Sequence, residues 1–526
     1  MKIINKQKSL NIVHLDLKGV MCKTAYHKQY LKDLADQGVN ALLIEYEDMF
    51  PFEGHQFALD PERVWSKSVL RSFQKMAKGF GIEIIPLQQC LGHLEYVLRW
   101  DRYRHLSEDR KYPSTIKVKS KKARALIMDL LTQMLEAHPD SRYVHIGMDE
   151  AHALITGAQT RGEDPVVLFL ELLDELIDLC VAYGKMPIVW SDMLDDHFNP
   201  KLLAPYKDRM IVAVWDYGPH HGETDQMLRL LGGYRASKEW LNDGANPEAP
   251  GMNAGTRFLE DLPGPLKKML APYKKGRGVV CLPQADLWVK MGFQVMGTAA
   301  IRASAHGEIL PDYAWLYSNI ETWKTVSKRA GMIGVIGSSW ARGTTFCPPN
   351  FNSDLCWPII AKMSDGKSKP FWSGIPATTV ERLTLWFGNS KKNWNMQDKA
   401  VAEMKRLRPK VKTHRYEWDS LALMGEVLSF KKRADYALLE VDFFESNNHP
   451  IDAEWDRRFK DQGDVLILLS NLRKRVISHF SKRYHGHAFD EWVRQLFSLY
   501  ERRIKECQAI ARKKKQIAKK IYKTSP

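Results

Sequence analysis

Asp149 and Glu150 are adjacent carboxylates at the end of an apolar run, Tyr143-Val-His-Ile-Gly-Met-Asp-Glu150. Burying carboxylates without partners is costly, so two acids where a strand turns into its loop need a reason. Neighbouring acids in different surroundings can divide the work of moving a proton and holding a charge. Strand alternation predicts His145, Gly147 and Asp149 on one side, and Ile146 and Met148 on the other. Glu150 then opens the loop, and both acids reach one cavity. A solvated loop start is the competing reading, and these residues alone do not decide between the two.

The surrounding chain supplies a frame for such a cavity. β-rich runs fall at Ile12–Leu17, Ala41–Tyr46, Glu83–Leu87, Tyr143–Met148, Ile188–Trp190, Met210–Trp215, Val295–Ala300 and Ile333–Ser338. Helical patterns separate most of them: Tyr26–Gln37, a stretch opened by Pro61 and running to about Lys78, a region from Leu94, Ala123–Ala137 and Pro165–Tyr183. Repeated β-α alternation implies parallel strands with helical crossovers. Eight such runs over residues 12 to about 340 predict a (β/α)₈ barrel, an α/β fold whose strand C-terminal ends surround one pocket. A Gly-, Pro- and Asn-rich insertion at about 232–290 is expected to lie over that face as a lid with helical pieces. The barrel is expected to occupy residues 1–365. Beyond Ser364-Asp-Gly-Lys-Ser-Lys-Pro370 the patterns are helical at about Ala377–Phe387, Met396–Arg406, Trp418–Ser446 and Asp464–Ile521, a mainly α-helical C-terminal domain over 366–526.

The 526 residues carry a net charge of +16. Much of it is late: Arg502, Arg503, Lys505, Arg512, Lys513, Lys514, Lys515, Lys519 and Lys520 lie in the last helical stretch. A basic helix can bind nucleic acid or another acidic partner, and a solvated helical face explains it as well. No apolar run near Met1 reads as a signal peptide, and none of about 18 residues reads as a membrane span. The seven cysteines form no Cys-x-x-Cys pair, and no Asn-x-Ser/Thr acceptor site occurs, so the expected setting is intracellular, in the cytoplasm. No Gly-x-Gly-x-x-Gly or Walker-type loop follows an early strand, which disfavours nucleotide binding.

The residues at the expected strand ends are acids and tryptophans. They include His14-Leu-Asp16-Leu-Lys18, Glu45-Tyr-Glu47-Asp48, Gly92-His93-Leu-Glu95, Trp190-Ser-Asp192, Trp215-Asp-Tyr217-Gly218 and Trp340-Ala-Arg342. Indole faces suit the C–H face of a pyranose, and carboxylates bind hydroxyls or move protons. His145-x-Gly-x-Asp149-Glu150 resembles the signature of family 20 glycoside hydrolases, the β-N-acetylhexosaminidases. Leu43-Ile-Glu-Tyr-Glu-Asp-Met-Phe-Pro-Phe-Glu-Gly54, Gly92-His-Leu-Glu95 and Trp215-Asp-Tyr-Gly218 are similar to the hexosaminidase D branch. The resemblance covers most of residues 11–345.

That resemblance implies an exo-acting retaining enzyme that removes terminal GalNAc or GlcNAc, with the substrate's own 2-acetamido oxygen as nucleophile. It implies Glu150 as acid and base, its pKa raised by burial and by Asp149, Asp149 as acceptor of the acetamido N–H, and His93 as support for the acid. Tyr217 is expected to donate to the acetamido oxygen, with Trp190, Trp215 and Trp340 as walls. Lys18, Glu47 and Arg342 complete the expected substrate contacts. Lys18 stands where classical members place an arginine, and Trp340-Ala-Arg342 replaces their Trp-x-Glu. No metal or organic cofactor is implied. Two other readings stay open: a metal-dependent hydrolase using His14, Asp16, His93, His145 and Asp149, and a non-catalytic sugar- or nucleic-acid-binding protein. A homodimer is also open.

Overall fold

The computed structural model describes residues 9–154, 157, 160–218, 227–229, 235–237, 264–275, 278–279, 281–302, 309–342, 349, 354–364, 369–388, 394–446 and 453–523. Eight strands close a parallel barrel: β1 (Leu10–Asp16), β2 (Ala41–Glu45), β3 (Glu83–Leu87), β4 (Tyr143–His145), β5 (Met186–Trp190), β6 (Ile211–Trp215), β7 (Gln294–Arg302) and β8 (Gly334–Ser339). Each pairs with its neighbours in chain order, and β8 returns to β1 through Leu10 opposite Gly334. All eight expected β-runs are barrel strands.

Period-two alternation divides each strand between two cores. Leu10, Ile12, Ala41, Leu43, Ile85, Leu87, Ile188, Ile211, Ala213 and Ile336 fill the barrel interior. Val13, Leu42, Ile44, Ile84, Val144, Val189, Val212 and Val214 face outward against the helices. Those helices are α1 (Thr24–Asp36), α2 (Lys67–Gly79), α3 (Lys121–Ala137), α4 (Pro165–Ala182), α5 (Pro283–Lys290) and α6 (Tyr313–Ala330). The interior stripe ends in polar and aromatic residues at the C-terminal end of the strands. His14 and Asp16 continue Ile12, Glu45 continues Leu43, and Trp190 continues Ile188.

Local chemistry sets the helix starts. Asp164 caps α4 by accepting from the Val166 N–H, with Pro165 at the first helical position. Pro61, expected to open the second helix, instead begins a 3-10 turn, Pro61–Arg63. Trp65 is buried after it and its N–H bonds to Met49 O, so the chain must leave the helical path there. Ser66 then caps Val69 N and α2 begins at Lys67. β4 is also shorter than expected and ends at His145.

Among the described residues six further helices follow the barrel: α7 (Trp357–Met363), α8 (Ala377–Gly388), α9 (Trp394–Leu407), α10 (Arg415–Ser446), α11 (Ala453–Phe480) and α12 (His487–Lys523). The expected single run Asp464–Ile521 is therefore two helices. Gly486 between them has a φ of 87°, a left-handed conformation no helix continues through. Tyr484–His485 pairs antiparallel with Met21–Cys22, just beyond β1, and Lys23 N donates to Arg483 O at 2.7 Å. Arg483 also pairs with Asp354 and Glu417, both at 2.6 Å. On α12 Tyr500, Ile504 and Cys507 are buried, while Arg502, Arg503, Lys505, Arg512 and Lys513 are exposed. In the expected insertion, Arg235–Ser237 pairs antiparallel with Met227–Arg229 just before it, and Gly264–Leu270 is a helix. Of the lid expected at about 232–290, residues 232–234, 238–263, 276–277 and 280 lie outside the described residues, as do 365–368 at the expected boundary. Among the described residues no helix is long and apolar enough to cross a membrane.

Candidate active site

The backbone leaves its regular path where the barrel opens. Among the described residues seven non-glycine residues have positive φ, and five of them follow β1 to β4: Lys18, Glu47, His93, Met148 and Glu150. Each such residue costs of order 1–3 kcal/mol and persists only where its surroundings enforce it. Simple alternation from His145 to Asp149 therefore fails. Gly147 turns at φ 66° and Met148 at 78°, while Trp190 N still bonds to Gly147 O at 3.1 Å. A Cβ on Gly147 would run into the Gln89 amide, and one on Gly92 would strike the Asp149 carbonyl. Both glycines are thus needed to let the β3 and β4 loops touch.

The close approach brings His93 between the two acids. Its Nε2 lies 3.3 Å from Asp149 Oδ2 and 3.3 Å from Glu150 Oε2. Burial works against charge on the imidazole, but Asp149, Glu150 and Glu95 outweigh it and push its pKa well above the ordinary histidine value. Asp149 is buried, and its Oδ1 has no hydrogen-bond partner among the described residues. Glu150 differs from its expected burial: its side chain is 43% exposed. Its backbone N–H donates to Asp192 Oδ2 at 2.8 Å, and Asp192 Oδ1 accepts from Trp215 Nε1 at 3.1 Å. Asp192 was not among the expected site residues, although Trp190-Ser-Asp192 at a strand end was the signal for it.

Aromatic groups border the acids. Trp190 is buried, 4.1 Å from the His145 ring and 6.3 Å from that of Trp340. Trp215 stacks on Tyr217 at 5.3 Å, and the Tyr217 hydroxyl accepts from Trp340 Nε1 at 3.1 Å. Burial, with the charges of Asp149 and Glu150, raises the Tyr217 pKa, so the phenol keeps its proton.

Lys18, Glu47 and Arg342 form a second, adjoining group. Lys18 Nζ lies 3.0 Å from Asp16, 3.2 Å from Glu45 and 3.5 Å from Glu47, and 4.8 Å from the Trp340 ring centre. Burial opposes its charge, but the three carboxylates hold its pKa well above the ordinary value. Asp16 Oδ2 also accepts from Ala341 N at 2.8 Å, tying β1 to the end of β8. Arg342 is buried. Its Nε donates to Lys18 O at 2.8 Å, and one Nη reaches Glu491 on α12 at 2.9 Å.

The donor atoms of His14, Asp16, His93, His145 and Asp149 do not converge as a metal-ligand set. Among the described residues the trio that does is Asp33 on α1, His414 just before α10 and Glu417 on α10. Among the described residues no such donor set lies at the barrel mouth.

A protein from Bos taurus named Hexosaminidase D is 31% identical over 253 residues, spanning 44% of this chain and 70% of that one. The chain belongs to the hexosaminidase D family. With that membership it is a glycoside hydrolase. The Homo sapiens Hexosaminidase D is 32% identical over 222 residues, 40% of this chain and 45% of the human protein. Flavobacterium johnsoniae chitobiase, a solved structure, aligns with 97% of this chain and 73% of its own at 13% identity and a TM-score of 0.47. No family model matches the chain.

Proposed function

We propose that the protein is an exo-acting, retaining β-N-acetylhexosaminidase that works by substrate assistance, with Glu150 and Asp149 as its reacting pair. The observation that carries this reading is the division of labour between the two acids. His93 holds one oxygen of each at 3.3 Å. Asp149 is enclosed, with no partner for Oδ1 among the described residues, and the Glu150 side chain is 43% exposed. An enclosed acceptor suits an N–H donor, and an open acid suits an incoming glycosidic oxygen.

In the first step Glu150 gives its proton to the leaving oxygen as the C1–O bond breaks. The 2-acetamido carbonyl oxygen bonds to C1, forming an oxazolinium ion. Asp149 Oδ1 takes the acetamido N–H and offsets the positive charge that develops there. Tyr217 donates toward the acetamido oxygen, and Trp190, Trp215 and Trp340 enclose the sugar ring and acetyl group. Glu150, now a carboxylate, then takes a proton from water as its oxygen attacks C1, opening the ring with retention. Proximity of His93⁺ stabilises the carboxylate that Glu150 becomes in the first step.

The same proposal includes an intracellular setting and a helical unit after about residue 365. Cys22, Cys90, Cys180 and Cys356 are free thiols, in keeping with a reducing compartment. The test is nitrophenol release from β-GlcNAc and β-GalNAc glycosides by the wild type, Asp149→Asn and Glu150→Gln. Either substitution should lower kcat by about 10²–10⁴-fold, and the ratio of the two sugars reports preference. A folded wild type inert on both glycosides would overturn the proposal.

A further inference from the structure

The C-terminal helices touch the barrel mouth at a point none of the sugar chemistry above explains. Glu491, one turn into α12, is paired at 2.9 Å with Arg342, whose guanidinium is buried. The same guanidinium donates through Nε to the Lys18 carbonyl. Lys18 in turn carries its ammonium into Asp16, Glu45 and Glu47 and against Trp340. Its backbone sits at φ 21°, a conformation that needs outside support. A small cavity lined by Lys18, Asp48, Arg99, Arg342 and His487 separates the cage from α12. A second fastening lies close by in sequence. Tyr484–His485 pairs with Met21–Cys22, and the Arg63 guanidinium meets His485 Nδ1 at 2.6 Å.

From this we propose that Glu491 is a positioning residue for the active site. It acts through Arg342 on the backbone of Lys18, so that α12 holds the Lys18–Glu47 cage in its working geometry. The inference rests on the hexosaminidase reading only where it speaks of substrate. The physical basis is the bond type. A guanidinium–carboxylate pair with its guanidinium buried is strong and directional, and removing the carboxylate takes a charge partner away from a buried cation. Arg342 freed from Glu491 has Asp48 within its field as an alternative partner, and turning toward it would release Lys18 O. The residue type at 342 then has a purpose beyond sugar contact, because a Trp-x-Glu at this strand end could not bond both the Lys18 carbonyl and an acid on α12.

The experiment compares the full-length wild type with Glu491→Ala, Glu491→Gln, Arg342→Met and the double variant Glu491→Ala/Arg342→Met. Steady-state kinetics on the nitrophenyl glycosides, thermal midpoints and hydrogen–deuterium exchange of peptides spanning residues 17–23 are measured together. Glu491→Ala should raise KM about tenfold or more, from the size of a charge-assisted bond, with kcat changed less than about threefold. Glu491→Gln, which keeps an acceptor, should recover part of that loss. The double variant should be no worse than Arg342→Met alone, and residues 17–23 should exchange faster in Glu491→Ala. A lowered thermal midpoint with unchanged KM, or fully additive effects in the double variant, would overturn the proposal. A wild type inert on these glycosides would strike the hexosaminidase reading instead. In that case unaltered exchange over residues 17–23 in Glu491→Ala would still overturn the positioning role, and faster exchange would uphold it.

Discussion

The two ends of this barrel each bury a lysine, and they treat it differently. At the N-terminal end Lys185, just before β5, gives its ammonium to the carbonyls of His138 and Ser141 at 2.6 and 2.7 Å. Burial lowers its pKa, and its surroundings are main chain that holds the β4 and β5 entrances together. At the C-terminal end Lys18 meets three carboxylates and an indole. Carbonyl acceptors satisfy a cation and end the matter. Carboxylates bring charge of their own, and a cluster that mixes signs can respond to a ligand. The non-glycine residues of positive φ divide the same way: of the seven among the described residues, five follow β1 to β4 at the mouth. In a (β/α)₈ barrel the bottom serves stability and the top serves chemistry, and here the chemistry of one residue type at two places shows it.

The sharpest way to break this comparison is to remove both cations. Lys18→Met leaves three buried carboxylates without their cation and should cost about 3–5 kcal/mol, read from the denaturant midpoint, with activity lost as well. Lys185→Met leaves only carbonyls unpaired and should cost about 1–3 kcal/mol, with kcat/KM per folded molecule unchanged. Equal costs and equal activities would mean the two ends do not differ in kind.

A smaller effect is expected at Gly147. Alanine there meets both the positive φ and the Gln89 amide, a strain of about 1–3 kcal/mol. Relief requires the β4 loop to move, so kcat should fall while Gly184→Ala, an open left-handed turn at the other end of the barrel, alters the thermal midpoint alone. Unchanged kcat in Gly147→Ala would separate the glycine from the acids it precedes.

The smallest effect is a pH dependence. His93 has its pKa raised by Asp149, Glu150 and Glu95 against the cost of burial. Protonation therefore favours the native state. The stabilisation is complete below the ordinary value of about 6.5 and is lost as pH rises through the raised folded-state value. The thermal midpoint of the wild type should fall over that alkaline range, by up to about 1.4 kcal/mol per pH unit in stability. His93→Gln should lose this slope. Parallel profiles for the two proteins would show that His93 does not carry charge between the acids.

How much of this was legible beforehand differs by level. The strands were read from β-rich runs alternating with helical patterns, a signal that depends on neighbours in sequence, and all eight joined the barrel. Helix starts were less legible: Pro61 favours a helix, yet burial of Trp65 draws the chain aside and Ser66 takes over the cap. The break at Gly486 was hidden inside a helical pattern because its cause is a pairing with Met21–Cys22, far away in the chain. The acid pair, His93 and the tryptophans were visible as residue types at strand ends. Asp192 was visible too, but nothing in its own segment said that it would hold the Glu150 backbone.

What the amino-acid sequence determined by itself is the barrel, the family and the set of groups at its mouth. Those follow from period-two and helical patterning and from motifs only a few residues long. What tertiary structure alone decided is which acid is enclosed and which stands open, since neighbouring residues 149 and 150 share a sequence context. It also decided that Lys18 is caged, and that Arg342 answers to Glu491 across a separation of 149 residues. Exposure and charge pairing are properties of what folds against a residue, and short-range patterns carry no record of that.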